Sequence, residues 1–303
     1  MNAELHTEAR LDGAALAAFG FLALVWGYNW VAVKVALDYV APFTFGAQRC
    51  LGGGLLLLAV LPLARQRLMP PHPRRVLLLG LLQTSIFTGC TTWALVHGGA
   101  GKSAVLVFTM PFWLLLFAPF FLGERLKGLQ WLAVLLAFLG LTLIFAPWRH
   151  GADLGSSALA IGGGIAWALS VLVVKRIPVK DRWELLSLTG WQMVLGSLPL
   201  ALLAWLVPGR ATDWTPVFTV VLLYNVVFAT ALAWLLWLFI VGRLPATISG
   251  LSSLIVPVVG VMSGWLQLGE RPPVEELAGM LLIFAGLALL PLAARKRYTS
   301  PKA

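Results

Sequence analysis

The chain has 303 residues, of which 60% are hydrophobic and only 11% are charged, whereas a soluble globular protein is about 25% charged. This composition excludes an ordinary soluble domain, and apolar runs of about 20 residues, the length of a transmembrane helix, recur along the chain. Runs such as LVFTMPFWLLLFAPFFL do not alternate in polarity, which also excludes the strands of a membrane β-barrel. We therefore predict an all-α membrane protein.

The net charge of +10 does not indicate a nucleic-acid partner. The basic residues lie in short clusters between apolar runs, where they suit the anionic surface of a membrane. The two cysteines, Cys50 and Cys90, lie inside apolar runs and do not have the spacing of metal ligands. We expect the lipid bilayer as a partner, and no metal, cofactor or nucleic acid.

Charged, Pro-rich or Gly-rich breaks divide the chain into ten apolar segments, which we predict to be ten transmembrane helices of a single domain, 1–303. The segments run approximately over 14–36, 42–64, 76–97, 103–122, 129–147, 157–177, 184–207, 216–241, 246–268 and 276–294. If the N-terminus is inside, sixteen of the 22 Lys and Arg residues lie in the inner segments and four in the outer loops. Because basic residues accumulate on the cytoplasmic side, both termini are predicted to be cytoplasmic, in the plasma (inner) membrane.

The two halves of the chain resemble each other. Pro111 is followed twelve residues later by Gly123-Glu124-Arg125, and Pro257 is followed twelve residues later by Gly269-Glu270-Arg271. Other matched pairs are Trp26 and Trp167, Asn29 and Ser170, Lys34 and Lys175, and Gln48 and Gln192. The alternative is chance similarity among Leu-rich helices, but a shared Pro-x11-Gly-Glu-Arg favours a repeat.

Each predicted repeat, 14–147 and 157–294, holds five segments. Because five is an odd number, the second repeat must cross the membrane in the opposite direction to the first. Two inverted five-helix repeats are an architecture of secondary transporters, in which the substrate site lies near the membrane midplane between the repeats.

These motifs together resemble a known family. The ten segments in an inverted repeat, WGYNWVAVKVAL in the first segment, PFTFGAQR in the second, and the repeated Pro-x11-Gly-Glu-Arg are similar to the EamA-type drug/metabolite transporter (DMT) superfamily. The resemblance covers residues 15 to 294, and within the superfamily the chain looks most like YddG-type exporters of aromatic amino acids. Members move amino acids, purine metabolites, sugar phosphates and cationic drugs, so the resemblance implies a transporter with a small-molecule substrate.

Trp26, Asn29 and Trp30 share one face of the first predicted helix, and Trp167 and Ser170 form the matching face of the sixth. An amide in the middle of a membrane helix is unfavourable against lipid. Asn29 is therefore predicted to face either a polar cavity or a neighbouring helix to which it hydrogen-bonds. The match with Ser170 favours the cavity.

Arg49, next to Gln48, is the strongest candidate for substrate binding. It lies about eight residues, or 12 Å, into the second segment, which is too deep for its side chain to reach the surface easily. Its guanidinium could bind a substrate carboxylate through two parallel hydrogen bonds, or it could bond helix carbonyls and fix the packing. Lys34, near the outer end of the first segment, is predicted to extend to the membrane interface instead.

The other candidates for the substrate site are polar or aromatic residues within the third, seventh and eighth segments: Gln83, Thr84, Thr88, Trp191, Gln192, Tyr224 and Asn225. Single Thr residues often bond their own helix, and single Trp residues often pack against lipid, so these alternatives remain open. Pro111 and Pro257 lie at matching depth in the fourth and ninth segments. Since a proline in a helix removes a hydrogen bond, we predict kinks there that serve gating.

The acidic residues and histidines point to the mode of action. All 12 acidic residues and all four histidines lie in tails, loops or segment ends. A proton relay needs such groups within the membrane, and so does an intramembrane hydrolase, so facilitated diffusion or exchange is favoured and an enzyme is not expected.

The candidate site residues and the resemblance to the EamA-type superfamily together predict an exporter. It is expected to work by alternating access on amino acids with large apolar or aromatic side chains. The alternatives are export of another small metabolite or of a cationic drug, and a non-transporting membrane scaffold or sensor.

Overall fold

The computed structural model describes residues 13–122, 128–145, 154–243 and 246–299, and every regular element in these ranges is a helix. In chain order they are α1 (Gly13–Ala36), α2 (Pro42–Leu63), α3 (Pro73–Leu79), α4 (Phe87–His97), α5 (Ala100–Val107), α6 (Met110–Leu122), α7 (Leu129–Phe145), α8 (Leu154–Val174), α9 (Arg182–Leu206), α10 (Pro216–Tyr224), α11 (Ala233–Arg243), α12 (Ala246–Leu268) and α13 (Val274–Thr299). The repeated Gly123-Glu124-Arg125 lies outside the described residues. The all-α prediction is confirmed for the part of the chain that the structure describes.

Six helical stretches in the described ranges are long and apolar enough to cross a membrane: Pro42–Leu63, Pro73–His97, Ala100–Phe117, Leu154–Val174, Arg182–Leu206 and Pro216–Phe239. Shorter apolar helices cover Gly20–Ala36, Leu129–Ile144 and Ile255–Leu268. The membrane fold therefore agrees with the sequence, while the number of ten spans stays a prediction.

Local sequence signals place several helix starts. Pro42, Pro73 and Pro216 stand at the first position of their helices. A backbone N–H at that position has no acceptor within the helix, so a proline, which lacks the N–H, loses no hydrogen bond there. Asp181 begins α9 by accepting hydrogen bonds from the backbone N–H groups of Trp183 and Glu184, at 2.8 and 2.9 Å. These signals define where helices begin in long apolar runs, which contain few other residues that mark a helix end.

The two matched prolines differ in their effect on the backbone. A turn at Phe108 and Thr109 separates α5 from α6, and Pro111 is the second residue of α6, so the predicted fourth segment is interrupted beside this proline. Pro257 instead lies inside α12, which is helical from Ala246 to Leu268. The interruption is therefore seen in the first half and not in the second.

Two π-helical segments lie at equivalent places in the two halves. Gly80–Ile86 joins α3 to α4, and Asn225–Leu232 joins α10 to α11, 145 residues later. A π-helix is rare, and short π-helical segments often mark functional sites, because they widen the helix and leave some carbonyls without their usual donors. Both stretches remain continuous helices from Pro73 to His97 and from Pro216 to Phe239.

The helix contacts follow a pattern close to twofold symmetry. α2 packs along α9, and α7 packs along α13. α1 packs against α12, and in the same way α8 packs against α5 and α6. Each of these contacts joins one half to the other, so neither half has a separate core.

Glycines allow the closest helix crossings. A Cβ atom added at Gly140 in α7 would lie 2.6 Å from the Gly279 carbonyl oxygen in α13, and one added at Gly279 would lie 2.7 Å from the Gly140 oxygen. A Cβ at Gly286 would lie 2.8 Å from the Ala133 oxygen. This is the equivalent contact, because Pro111 and Pro257 match at a spacing of 146 residues, and at that spacing Gly140 corresponds to Gly286 and Ala133 to Gly279. Small residues at crossings let membrane helices approach through their backbones.

We expect Gly140→Ala to separate α7 from α13, because the added methyl group would collide with backbone that cannot rotate away. Overpacking of this kind destabilises by roughly 1–3 kcal/mol, measured as a lower thermal unfolding temperature in detergent. Gly20→Ala is the matched control, since nothing lies within 4 Å of the added Cβ. Equal unfolding temperatures for the two variants would show that the crossing is not tightly packed.

Candidate functional site

A small cavity lies between the two halves. It is lined from both of them, and its volume is about 40 Å³, enough for about three water molecules. Five predicted site residues line it: Trp26, Asn29, Trp30, Arg49 and Trp167. Lining residues outside our predicted set are Val33, Phe87, Thr91, Thr92, Leu95, Phe108, Ala229 and Trp234. We call this space the central cavity.

Aromatic rings form one side of the central cavity. The ring centroids of Trp26 and Trp234 are 4.9 Å apart, and those of Trp26 and Trp167 are 5.7 Å apart. Phe87 and Phe108 also meet Trp167 edge-on, at 5.6 and 5.2 Å. Edge-to-face contacts are favourable between aromatic rings, and these rings come from both halves. The cluster can therefore surround a flat apolar group.

Arg49 forms the charged side of the central cavity. Its side chain is only 6% exposed, and Nη1 donates a hydrogen bond of 3.2 Å to Oδ1 of Asn225. The amide nitrogen of Asn225 in turn donates to the carbonyl of Val221, at 3.1 Å. Among the described residues, no carboxylate lies within ion-pair distance of Arg49, since the ion pair found there joins Lys102 and Glu276.

Polar atoms without hydrogen-bond partners point to a ligand. Four cavity-lining side chains each have a buried atom that no protein group satisfies: Oδ1 of Asn29, Nε of Arg49, Oγ1 of Thr92 and Nε1 of Trp167. Buried polar groups are nearly always hydrogen-bonded to protein or to water. The cavity thus offers both donors and acceptors to a small polar molecule or to waters.

Two hydrogen bonds attach α1 to the stretch that contains the second π-helical segment. Nε1 of Trp26 donates to the carbonyl of Ala229 at 3.1 Å, and the hydroxyl of Tyr224 donates to the carbonyl of Val25 at 2.6 Å. Ala229 belongs to the π-helical segment, a geometry in which some carbonyls lose their usual backbone donor. Trp26 therefore has a structural role in addition to lining the cavity.

A second polar cluster joins the first π-helical segment to α9. The Thr84 hydroxyl donates to Oε1 of Gln192 at 2.7 Å, and Ser85 donates to the carbonyl of Gly196 at 2.6 Å. Both amide atoms of the buried Gln83 lack partners, as does Nε2 of Gln192. These predicted residues are buried polar groups, but they do not line the central cavity.

The remaining predicted residues contact other parts of the structure, away from the central cavity. Ser170 donates to the Trp167 carbonyl of its own helix at 2.7 Å. Thr88 contacts the Cys50 sulfur at 3.7 Å. Gln48 donates to the Thr212 hydroxyl at 3.4 Å, and Trp191 donates to the Leu68 carbonyl in the loop after α2. The structure does not bring these four residues to the cavity.

The junction of α4 and α5 is held by two charged side chains. Lys34 donates to the carbonyls of Leu95 and Gly98 at the end of α4, at 2.7 and 2.8 Å. Glu270 accepts hydrogen bonds from the N–H groups of Ala100 and Gly101 at the start of α5, at 2.6 and 3.0 Å. Each charge complements the helix dipole that it meets. Lys34 thus contacts the end of α4, and its extension to the membrane interface stays a prediction.

Glu270 belongs to the repeated Gly-Glu-Arg, which the sequence marked only as part of a repeat. Its capping role depends on contact with a helix about 170 residues earlier, and no local pattern indicates that distance. Thr92 could have been suspected from its position one helical turn beyond Thr88. Phe87, Phe108 and Leu95 carry no signal that distinguishes them from other apolar residues in a membrane helix.

We predict that Trp26→Phe keeps the aromatic ring but leaves the Ala229 carbonyl without its donor. The loss should lower stability by roughly 0.6–1.7 kcal/mol, as for hydrogen bonds in other membrane proteins, seen as a lower unfolding temperature in detergent. Trp131→Phe is the control, because Trp131 lies exposed on α7. An unchanged unfolding temperature for Trp26→Phe would mean that the hydrogen bond does not hold α1 in place.

Comparison with known proteins places this chain in a family. The EamA-like transporter family matches residues 14–146 and again 155–292. The transporter YvbV of Bacillus subtilis is 31% identical over 274 residues, covering 89% of this chain and 89% of its own length. A probable amino-acid metabolite efflux pump of Salmonella typhimurium is 29% identical, covering 93% and 97% of the two chains.

A probable terminal-alkyne amino-acid exporter of Streptantibioticus cattleyicolor is 26% identical over 92% of this chain and 94% of its own. A solved crystal structure with 18% identity superposes with a TM-score of 0.67 over 93% of this chain and 99% of its own, which supports the fold alone. The family and these relatives are named as transporters or efflux pumps, and none is an enzyme. The chain belongs to the EamA-like transporter family and is an integral membrane transporter.

Proposed function

We propose that the protein exports amino acids with large apolar or aromatic side chains across the inner membrane by alternating access. In this proposal ten spans form two inverted repeats, both termini are cytoplasmic, and the halves move against each other around the central cavity. Export of another small metabolite or of a cationic drug is the competing possibility.

The single observation that carries the proposal is the buried guanidinium of Arg49. A buried charge is strongly unfavourable unless it is paired, and within the described ranges Arg49 contacts an amide and no carboxylate. An anionic group of the substrate would supply the missing counter-ion. A carboxylate suits the site because the guanidinium fork can bind its two oxygens, and Nε is a buried donor without a partner.

The rest of the cavity suits the other parts of an amino acid. Oδ1 of Asn29 is an acceptor without a donor, which fits a substrate ammonium. The rings of Trp26, Trp167 and Trp234 line the cavity and contact one another edge-on, and such an aromatic surface suits a large apolar side chain. A cavity of about 40 Å³ is smaller than such a solute, so binding requires the halves to separate, as alternating access provides.

The relatives support the same class of substrate. Two of them are named for export of amino-acid metabolites or of a terminal-alkyne amino acid, and amino acids share a carboxylate and an ammonium. No Asp, Glu or His is among the residues that line the central cavity. This composition supports facilitated diffusion or exchange, since a proton relay at the site would use such groups.

Three observations support the inverted repeat. The family matches the two predicted halves separately, at 14–146 and 155–292. The π-helical segments Gly80–Ile86 and Asn225–Leu232 occupy corresponding positions, and the helix contacts between the halves are arranged almost symmetrically. An odd number of spans in each half then requires opposite orientations in the membrane.

Counterflow of radiolabelled solutes in proteoliposomes tests the function. We expect aromatic amino acids to exchange, and Arg49→Leu to reduce their transport at least about a hundredfold, because breaking a buried charge pair removes roughly 3–5 kcal/mol. Arg49→Lys should restore transport only in part, since an ammonium cannot form the planar fork. A cationic aromatic amine that lacks a carboxylate should be affected less.

Arg210→Leu is the matched control, because Arg210 is exposed and lies away from the central cavity. Equal loss of the amino acid and the amine in Arg49→Leu, together with poor insertion, would identify Arg49 as a packing residue and contradict the substrate assignment. If nucleosides, sugar phosphates or cationic drugs exchange and amino acids do not, the amino-acid assignment is wrong.

Labelling of introduced cysteines tests the orientation. In a background of Cys50→Ser and Cys90→Ser, we expect Arg74→Cys and Lys180→Cys to be protected from a membrane-impermeant thiol reagent in intact cells. Asp213→Cys should react, because the loop before α10 is predicted to be outside. The opposite labelling pattern would refute both the charge-based orientation and the inverted repeat that depends on it.

A further inference from the structure

A basic cleft lies at the end of the molecule where α2 ends and α9 begins. Its volume is about 450 Å³, and its basic side chains are Arg65, Arg67 and Lys180. It is separate from the central cavity, with which it shares no residue. The proposed substrate site makes no use of this cleft.

The loops that form the cleft carry a large positive excess. Segments 64–75 and 175–184 together contain eight Lys and Arg residues and two carboxylates. Both carboxylates line the cleft, but both already accept backbone hydrogen bonds. Asp181 accepts from Trp183 and Glu184, and Glu184 accepts from the N–H of Lys180 at 2.6 Å. Neither forms an ion pair with a cleft cation within the described ranges.

Arg65 occupies a backbone position that usually belongs to glycine. Its φ is +56°, and it follows α2 in a pattern of two hydrogen bonds, from Arg65 N–H to the Pro62 carbonyl at 3.0 Å and from Gln66 N–H to the Leu61 carbonyl at 2.8 Å. This is the Schellman motif, in which glycine is preferred at the residue with positive φ. Arginine is strained there, so its presence indicates a role for the side chain.

The loop that carries the cations is fixed to α9. The Ser187 hydroxyl donates to the Met69 carbonyl at 3.2 Å, and Nε1 of Trp191 donates to the carbonyl of Leu68. Met69 lines the cleft and is 79% exposed, and Leu63, two residues before Arg65 in the chain, is 85% exposed. The cleft thus combines fixed cations with an apolar border, which distinguishes it from a site for a free anion in water.

We propose that this cleft binds the phosphodiester headgroup of an anionic phospholipid, with the acyl chains along Leu63 and Met69. Basic pockets between membrane helices on the cytoplasmic side bind such headgroups, and the proposed orientation places the cleft on that side. Arg65 and Arg67 would contact the phosphate oxygens, with Lys180 across the cleft. The proposal does not depend on which solute is carried.

Native mass spectrometry and thermal unfolding of the full chain in detergent test the proposal. Phosphatidylglycerol should be retained and raise the unfolding temperature more than phosphatidylcholine with the same acyl chains. Arg67→Gln and Lys180→Gln should each weaken retention about fivefold, from about 1 kcal/mol per cation near an anionic lipid. Arg271→Gly is the control, because Arg271 lies in another cavity.

Arg65→Gly gives the sharpest result, because its two expected effects have opposite signs. Without lipid the variant should unfold at a higher temperature than the natural protein, since glycine relieves the strained φ. With phosphatidylglycerol it should gain less stability and retain the lipid about fivefold less well.

If Arg65→Gly is more stable but retains phosphatidylglycerol as the natural protein does, the arginine does not bind lipid and the proposal fails. If inorganic phosphate or a nucleotide stabilises as well as phosphatidylglycerol, the cleft binds a soluble anion and the lipid assignment is wrong.

Discussion

The need to satisfy every backbone polar group within a membrane is the constraint on which this structure depends. The backbone is irregular at the second π-helical segment and at the α4–α5 junction. At each place a side chain from the other half forms hydrogen bonds with the backbone. Trp26 bonds the Ala229 carbonyl, and Glu270 bonds the N–H groups at the start of α5. The halves are therefore joined where their own hydrogen-bond ladders are incomplete. Movement between them must exchange these bonds for others, which restricts movement to a few defined arrangements.

Much of the fold could be predicted because membrane helices are long apolar runs between polar breaks. The second segment was predicted at 42–64 and is observed at Pro42–Leu63, and the ninth was predicted at 246–268 and is observed at Ala246–Leu268. The π-helical segments could not be predicted. Their residues are of the same types as those of the neighbouring α-helices, and one extra residue in a turn changes neither composition nor length in a recognisable way.

The site was predictable where a polar or aromatic residue was unusual in its surroundings. Helical spacing grouped Trp26, Asn29 and Trp30, and all three line the cavity, as does the isolated Arg49. The same reasoning failed to distinguish a residue that faces the cavity from one that bonds its own helix, as Ser170 does. Rotation of a helix within a bundle depends on contacts between distant segments, which the sequence of one segment does not contain.

The charge in the cavity belongs to one half only. In the repeat register Met193 takes the place of Arg49, and it is buried in α9, so the scaffold is nearly symmetric but the buried guanidinium has no counterpart in the second half. A symmetric movement can open the cavity to either side in turn, but a bound carboxylate would stay beside α2 throughout. The guanidinium is tied to Asn225 of the other half, at the start of the second π-helical segment. A substrate carboxylate that competes for this donor would loosen a bond between the halves, so binding and movement would be coupled at that contact.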